Sequence, residues 1–190
     1  MRIQASHVSG YDRYPEILTT LKRLLADVAL PRILVVGAAH GQECMAIVGH
    51  IPDAQVVGSE IDVPCWRTAC AAHPHGRVVF VQPSELARMG DYDAILCHSV
   101  LCHHPENRDK DRNDLWSFSA FEQFLAELEP LLRVGGWISI FNAEYRFADT
   151  RLASGYRAEH LEVEQFVQLF DTADLRVSGT IIRPLWRRLQ

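Results

Sequence analysis

Two glycines and an acid carry the clearest chemical spacing. An apolar run, Arg32-Ile-Leu-Val-Val36, enters Gly37-Ala-Ala-His-Gly41, and that turn opens onto Gln42 and Glu43. A second run, Val56-Val-Gly-Ser59, ends in Glu60. A small-residue turn after a strand lets the backbone approach a ligand closely. An acid at the tip of the next strand can accept hydrogen bonds from both hydroxyls of a ribose. The layout predicts a nucleoside ligand, with Asp62 as the reserve acid if the strand register differs by two. The spacing is Gly-x-x-x-Gly, and no lysine follows as it would in a phosphate-binding P-loop.

A second group of residues follows the strand expected over Tyr92–Cys97. Cys97, His98, Cys102, His103 and His104 lie close in sequence. They hold no Cys-x-x-Cys and no separated second ligand pair, so they fall short of a zinc pattern and no metal is predicted. His103 is the candidate general base, with His104 beside it, because imidazole titrates near neutral pH. Glu144, Tyr145 and Arg146 point toward an acceptor site. Arg146 or Arg157 could hold an acidic substrate, or could simply be solvated. Tyr11 and Tyr14 could fold over the ligand as a lid or could merely flank a helix.

Elements that would position these groups alternate along the chain. Helical spacing is expected over Glu16–Val28, Gln42–Ile51, Val63–Ala72 and Phe118–Leu132, with Gly135-Gly136 closing the last of these. Strands are expected over Arg32–Val36, Gln55–Glu60, Val78–Val81, Tyr92–Cys97 and Trp137–Phe141. Glu85–Met89 is a short helix or turn, and Pro105–Trp116 is a charged loop. Asn142–His160 shows no clear period. A helix over Val163–Thr172 and a sixth strand over Leu175–Ile182 follow. A seventh strand would be Leu185–Leu189 or absent. Such alternation implies βαβ units and an α/β fold, a mostly parallel sheet of six or seven strands with helices on both faces. Ligands of such sheets bind beyond the carboxyl ends of the strands, where the strand order reverses.

The ordered set resembles the class I S-adenosylmethionine-dependent methyltransferases, which have a Rossmann-like fold. The turn Gly37–Gly41 with Glu60 is similar to their first motif. Asp91–Leu101 looks like their fourth strand and following loop, and Leu131–Phe141 like their glycine turn and fifth strand. The resemblance implies S-adenosyl-L-methionine as cofactor and S-adenosyl-L-homocysteine as product. Gly37, Ala38, Ala39 and Gly41 would then approach the cofactor. Glu60 and Ile61 would flank its ribose, and Ser84 with Glu85 would meet the adenine. His98 and Ser99 would lie beneath it. The chain departs from the family at Val36, often an acid there, at Ala39, often a glycine, and at Ser84, usually an acid. Gly37–Glu43 is also similar to the first motif of the methyltransferases that esterify chemoreceptor glutamates, which implies that Glu43 contacts the cofactor. The N-terminal segment is too short for that branch's separate domain.

The 190 residues suit one methyltransferase-like domain: an N-terminal segment and helix over 1–30, a core over 31–183, and a short tail or last strand over 184–190. Hydrophobic residues make up 48% and charged residues 23%, as in ordinary globular chains. A net charge of -5 gives no case for binding nucleic acid or an anionic membrane. No apolar run is long enough to span a bilayer, and Met1–Tyr14 lacks the apolar stretch of a signal peptide. The five cysteines are then expected as thiols in a cytoplasm. Size and charge favour a small-molecule acceptor, and a homodimer remains open. Two rival readings share these motifs: a non-catalytic binding protein that kept the fold, and a nicotinamide-dependent reductase. The second lacks a Tyr-x-x-x-Lys pair.

Overall fold

Seven strands form one sheet in the order β3-β2-β1-β4-β5-β7-β6. The computed structural model describes residues 15–74, 76–101, 116–141, 143, 145–168 and 176–189. Strands β1 (Arg32–Val36), β2 (Gln55–Ser59), β3 (Val78–Val81), β4 (Tyr92–His98) and β5 (Leu132–Phe141) are parallel. Strands β6 (Tyr156–Gln168) and β7 (Arg176–Arg188) join antiparallel. The helices are α1 (Pro15–Leu24), α2 (Gln42–His50), α3 (Val63–Ala72) and α4 (Phe118–Leu128).

The period of the strands explains the layers. Successive residues of a strand face opposite sides, and a central parallel strand is buried on both. Ile33 and Val35 of β1 pack in one cluster with Leu18, Leu21, Ile47 and Ala69, from α1, α2 and α3. Leu34 and Val36 pack in the other with Phe121, Leu125 and Leu128 of α4. The apolar residues of α1 and α4 recur at three- and four-residue spacing, which gives each helix one buried stripe. Ser117 caps α4 by accepting a hydrogen bond from the Ala120 amide at 3.2 Å. From β1 the sheet order runs outward through β2 to β3, and β4 then lies on the other side of β1. The switch point therefore falls between β1 and β4, above the Gly37 turn.

Two segments differ from the sequence expectation. Helix α4 stops at Leu128, and a 3-10 turn, Glu129–Leu131, leads straight into β5. Gly135 and Gly136 lie inside that strand and do not cap the helix. Pro130, which has no amide hydrogen, closes the helical stretch early. Gly135 has φ +82. The chain bulges there, so that Tyr92 opposes Leu132 while Ala94 opposes Trp137. A Cβ on Gly136 would come within 2.9 Å of the Arg133 carbonyl and 3.0 Å of the Asp93 carbonyl.

The second difference is β6. It occupies Tyr156–Gln168, where the sequence predicts an aperiodic loop and then a helix from Val163. Residues 169–172 of that expected helix lie outside the described residues. An antiparallel ladder runs unbroken from Tyr156 opposite Arg188 to Gln168 opposite Arg176, pairing the backbone groups that the two strands turn toward each other. The expected sixth strand and the optional seventh are one strand, β7. Its pairing with β5 covers Leu185–Arg187 and stops next to Pro184, where the missing amide hydrogen removes a ladder donor.

Candidate active site

Three hydrogen bonds close the turn after β1 against the tip of β2. The amides of Gly37 and Ala38 donate to the Ser59 carbonyl at 2.8 and 2.9 Å. The Ala39 amide donates to Glu60 Oε2 at 2.8 Å, and the Asp62 amide donates to Glu60 Oε1 at 2.7 Å. Glu60 is 6% exposed. Gly37 (φ +70), Ala39 (φ +46) and Gly41 (φ +90) are all left-handed. Alanine thus keeps a backbone conformation natural to glycine, at a cost of about 1–2 kcal/mol. At Gly37 there is also no room for a side chain: a Cβ would overlap Cγ2 of Val100. Asp62 is not a strand-end acid. It caps α3, where Oδ1 accepts from the Cys65 amide at 2.9 Å.

A polar relay lies on the α2 side of the sheet. His98 ends β4 and Ser139 sits in β5, and strand parity turns both toward α2. His98 Nδ1 is 2.5 Å from Glu43 Oε1, and Nε2 is 2.8 Å from Ser139 Oγ. The carboxylate can only accept from a hydrogen on Nδ1; Nε2 then accepts the serine hydroxyl in a neutral ring and donates to the serine oxygen in a protonated one. The side chain of His98 is 1% exposed and that of Glu43 20%. Burial, and after it the charge of Glu43, pushes the thiols of Cys97 and Cys44 well above the ordinary range.

The structure thus brings together Gly37, Ala38, Ala39, Gly41, Glu43, Glu60, His98 and Ser99 at the carboxyl ends of β1, β2 and β4. Ser99 follows the relay with φ +58, and its amide donates to the Phe141 carbonyl at 2.9 Å. Ile61 is half exposed beside Glu60. Ser84 and Glu85 lie on a 3-10 turn, Pro83–Arg88, and both are exposed. The Glu85 carboxylate accepts from the Gln82 amide at 2.9 Å, closing a capping box. His103, His104, Cys102, Glu144, Tyr11 and Tyr14 lie outside the described residues. Tyr145 packs against Phe118 and Phe121 at ring separations of 5.3 and 5.5 Å. Arg146 is bonded twice to Asp149, at 2.9 and 2.7 Å, and Arg157 is exposed.

Ser139 escaped the sequence reading. Its signal was a lone hydroxyl inside Trp137-Ile-Ser-Ile-Phe141, on the same strand parity as the polar end of β4. Among the described residues, no three His, Cys, Asp or Glu side chains converge to hold a metal ion. An open cleft of about 410 Å³ lies along β3, lined by Cys70, His73, Pro74, Gly76 and Val78–Phe80.

No protein-family model and no curated protein matches the chain. Solved structures do. The N-methyltransferase NodS from Bradyrhizobium japonicum WM9, in complex with S-adenosyl-L-homocysteine, is 16% identical with TM-score 0.63, covering 98% of this chain and 92% of NodS. TehB from Haemophilus influenzae is 11% identical with TM-score 0.59, covering 93% of this chain and 65% of TehB. An O-methyltransferase from Nostoc punctiforme PCC 73102 is 19% identical with TM-score 0.50; the match covers 66% of this chain and only 36% of that protein. The switch point, the antiparallel end of the sheet and these matches agree: the chain has the fold of the class I S-adenosylmethionine-dependent methyltransferases.

Proposed function

We propose that the chain is an S-adenosylmethionine-dependent methyltransferase acting on a small molecule. The observation that carries this reading is Glu60. Its carboxylate is buried at the tip of β2, beside the switch point, and each oxygen accepts one backbone amide. A carboxylate oxygen offers two acceptor positions, so one on each oxygen is left for the two hydroxyls of a ribose. Gly37, Ala38, Ala39 and Gly41 present backbone with little side chain. Half-exposed Ile61 offers an apolar face to adenine, and the Ser84 hydroxyl, with Glu85 next to it, a polar partner.

Bound S-adenosylmethionine supplies a methyl group already activated by its sulfonium and leaves as S-adenosylhomocysteine. The residues around the rim must align the acceptor, and alignment alone supplies several orders of magnitude in rate. His103 is the proposed base where the acceptor must lose a proton. The net charge of -5 argues against nucleic acid or an anionic membrane as partner. Among the described residues no helix is long and apolar enough to cross a membrane. Cys44, Cys65, Cys70 and Cys97 are not joined in disulfides, in keeping with the cytoplasmic location that belongs to this reading.

A thermal-shift comparison tests this reading. S-adenosylmethionine and S-adenosylhomocysteine should raise the melting temperature, with about 2.7 kcal/mol of stabilisation at ~100 times Kd. NADH and NADPH should not. A shift with the nicotinamides alone would favour the reductase. Binding of S-adenosylmethionine with no methyl transfer across an acceptor panel would favour the binding protein.

A further inference from the structure

We propose that Phe118 and Tyr145 form one wall of the acceptor site, and that the acceptor carries an uncharged aromatic ring. The inference rests on the function proposed above and names the class of molecule that its site takes. Helix α4 packs on the sheet through Phe121, Leu125 and Leu128, and its last turn leads into the start of β5. Its first residue, Phe118, therefore lies toward the carboxyl end of that strand, with 38% of its surface exposed. Tyr145 follows Phe141, the last residue of β5, by four positions. The two rings meet edge to face, with centroids 5.3 Å apart and planes at 81°. Val100, just past β4, packs on the same apolar cluster as Tyr145, and it is the side chain that a Cβ on Gly37 would strike. An apolar surface thus continues from the glycine turn through Val100 toward Tyr145 and Phe118.

The charges beside this wall neutralise one another. Arg146 is bonded twice to Asp149, at 2.9 and 2.7 Å. Glu122, one turn after Phe118 on α4, accepts the Arg151 amide at 2.7 Å and its guanidinium at 3.0 and 2.8 Å. A carboxylate on the acceptor would find these guanidiniums taken, and an ammonium would find these carboxylates taken. The Glu122–Arg151 tie also fastens the segment after β5 to α4. Tyr145 is held further by Phe121, 5.5 Å away, so the wall is built before a ligand arrives. Rings pair offset or edge to face at about 4.5–7 Å, and a ligand ring on Phe118 and Tyr145 extends the pattern those two begin.

The test is an NMR titration of the protein saturated with S-adenosylhomocysteine. The probes are 2-naphthol, decahydro-2-naphthol (the same skeleton and hydroxyl without aromaticity), 2-naphthoate and tetramethylammonium. Wild type should bind 2-naphthol at least about threefold more tightly than each of the others. Phe118→Ala and Phe118→Leu should each weaken 2-naphthol by about three- to tenfold, and Phe118→Tyr, which keeps the ring, should retain it. Affinity for S-adenosylhomocysteine should change by less than about twofold in all three variants. Nuclear Overhauser contacts should join the naphthol ring to the methylenes beside the sulfur of S-adenosylhomocysteine. Tighter binding of 2-naphthoate or tetramethylammonium overturns the uncharged class, and tighter binding of the decahydro compound overturns the aromatic one. Equal losses of 2-naphthol and decahydro-2-naphthol in Phe118→Ala, or naphthol bound without contacts to S-adenosylhomocysteine, overturn the wall. Phe118 is exposed, so its variants should fold, and the probe ranking in wild type decides without them. Wild type that binds S-adenosylhomocysteine but not 2-naphthol up to its solubility limit overturns this inference alone. Wild type that does not bind S-adenosylhomocysteine overturns the proposed function, and this inference with it.

Discussion

Two buried acids stand at opposite ends of the sheet, and their partners differ in kind. Asp93, near the start of β4, is 2% exposed. Its Oδ2 accepts the Arg32 amide at 2.8 Å, and its Oδ1 meets the Arg133 guanidinium at 2.7 Å. Glu60, past the tip of β2, is nearly as buried but accepts only backbone amides, with no cation beside it among the described residues. Burial of a carboxylate is costly unless it is paired and hydrogen-bonded. Asp93 has both compensations and ties β4 to β1 and to the start of β5. Glu60 has only half of that compensation, at the place where ligands of such sheets bind. On the proposed function, the contrast separates a carboxylate that serves the fold from one that would serve a ligand.

The largest expected effect is at the turn that Glu60 holds. Gly37→Ala should cost about 1–2 kcal/mol for the left-handed backbone and a further ~1–3 kcal/mol for crowding Val100. Urea denaturation would show it, and Val100→Ala in the same chain should recover only the crowding part. Next is Asp93→Asn, which weakens the tie to Arg133 and disturbs the Arg32 amide. Arg133 is 43% exposed, so water takes up much of its charge and the loss should be about 1–3 kcal/mol. The folded variant should bind S-adenosylhomocysteine as wild type does. Glu60→Gln should show the reverse pattern: a stability loss of about 1 kcal/mol and a fall in affinity of about tenfold or more. Equal effects of these two variants on affinity would erase the distinction. The smallest effect is a gain: Ala39→Gly should stabilise the protein by about 0.5–1 kcal/mol in the same denaturation assay, by relieving its positive φ.

The parts of the molecule governed by local pattern could be read in the sequence. Continuous apolar runs marked β1, β2 and β4 because both faces of each are buried. The glycine spacing marked the turn, and an acid at a strand tip marked Glu60. What needed long-range pairing could not be read. Val163, Phe166 and Val167 fit a helical period, and only the ladder with β7 makes that stretch a strand. Gly135-Gly136 fits a helix cap as well as a bulge, and the register of β4 against β5 decides between them. The relay from Ser139 through His98 to Glu43 joins three separate elements. Its members show in the sequence only as isolated polar residues. The left-handed conformation of Ala39 was hidden for a related reason. Its amide bonds to Glu60, which lies past the tip of a different strand.

The most direct test of the central claim is calorimetric titration of S-adenosylmethionine and S-adenosylhomocysteine into wild type, Glu60→Gln and Asp93→Asn. The account predicts micromolar binding that Glu60→Gln weakens by about tenfold or more and Asp93→Asn leaves unchanged. No binding by folded wild-type protein at millimolar ligand, or equal affinity in wild type and Glu60→Gln, would contradict it.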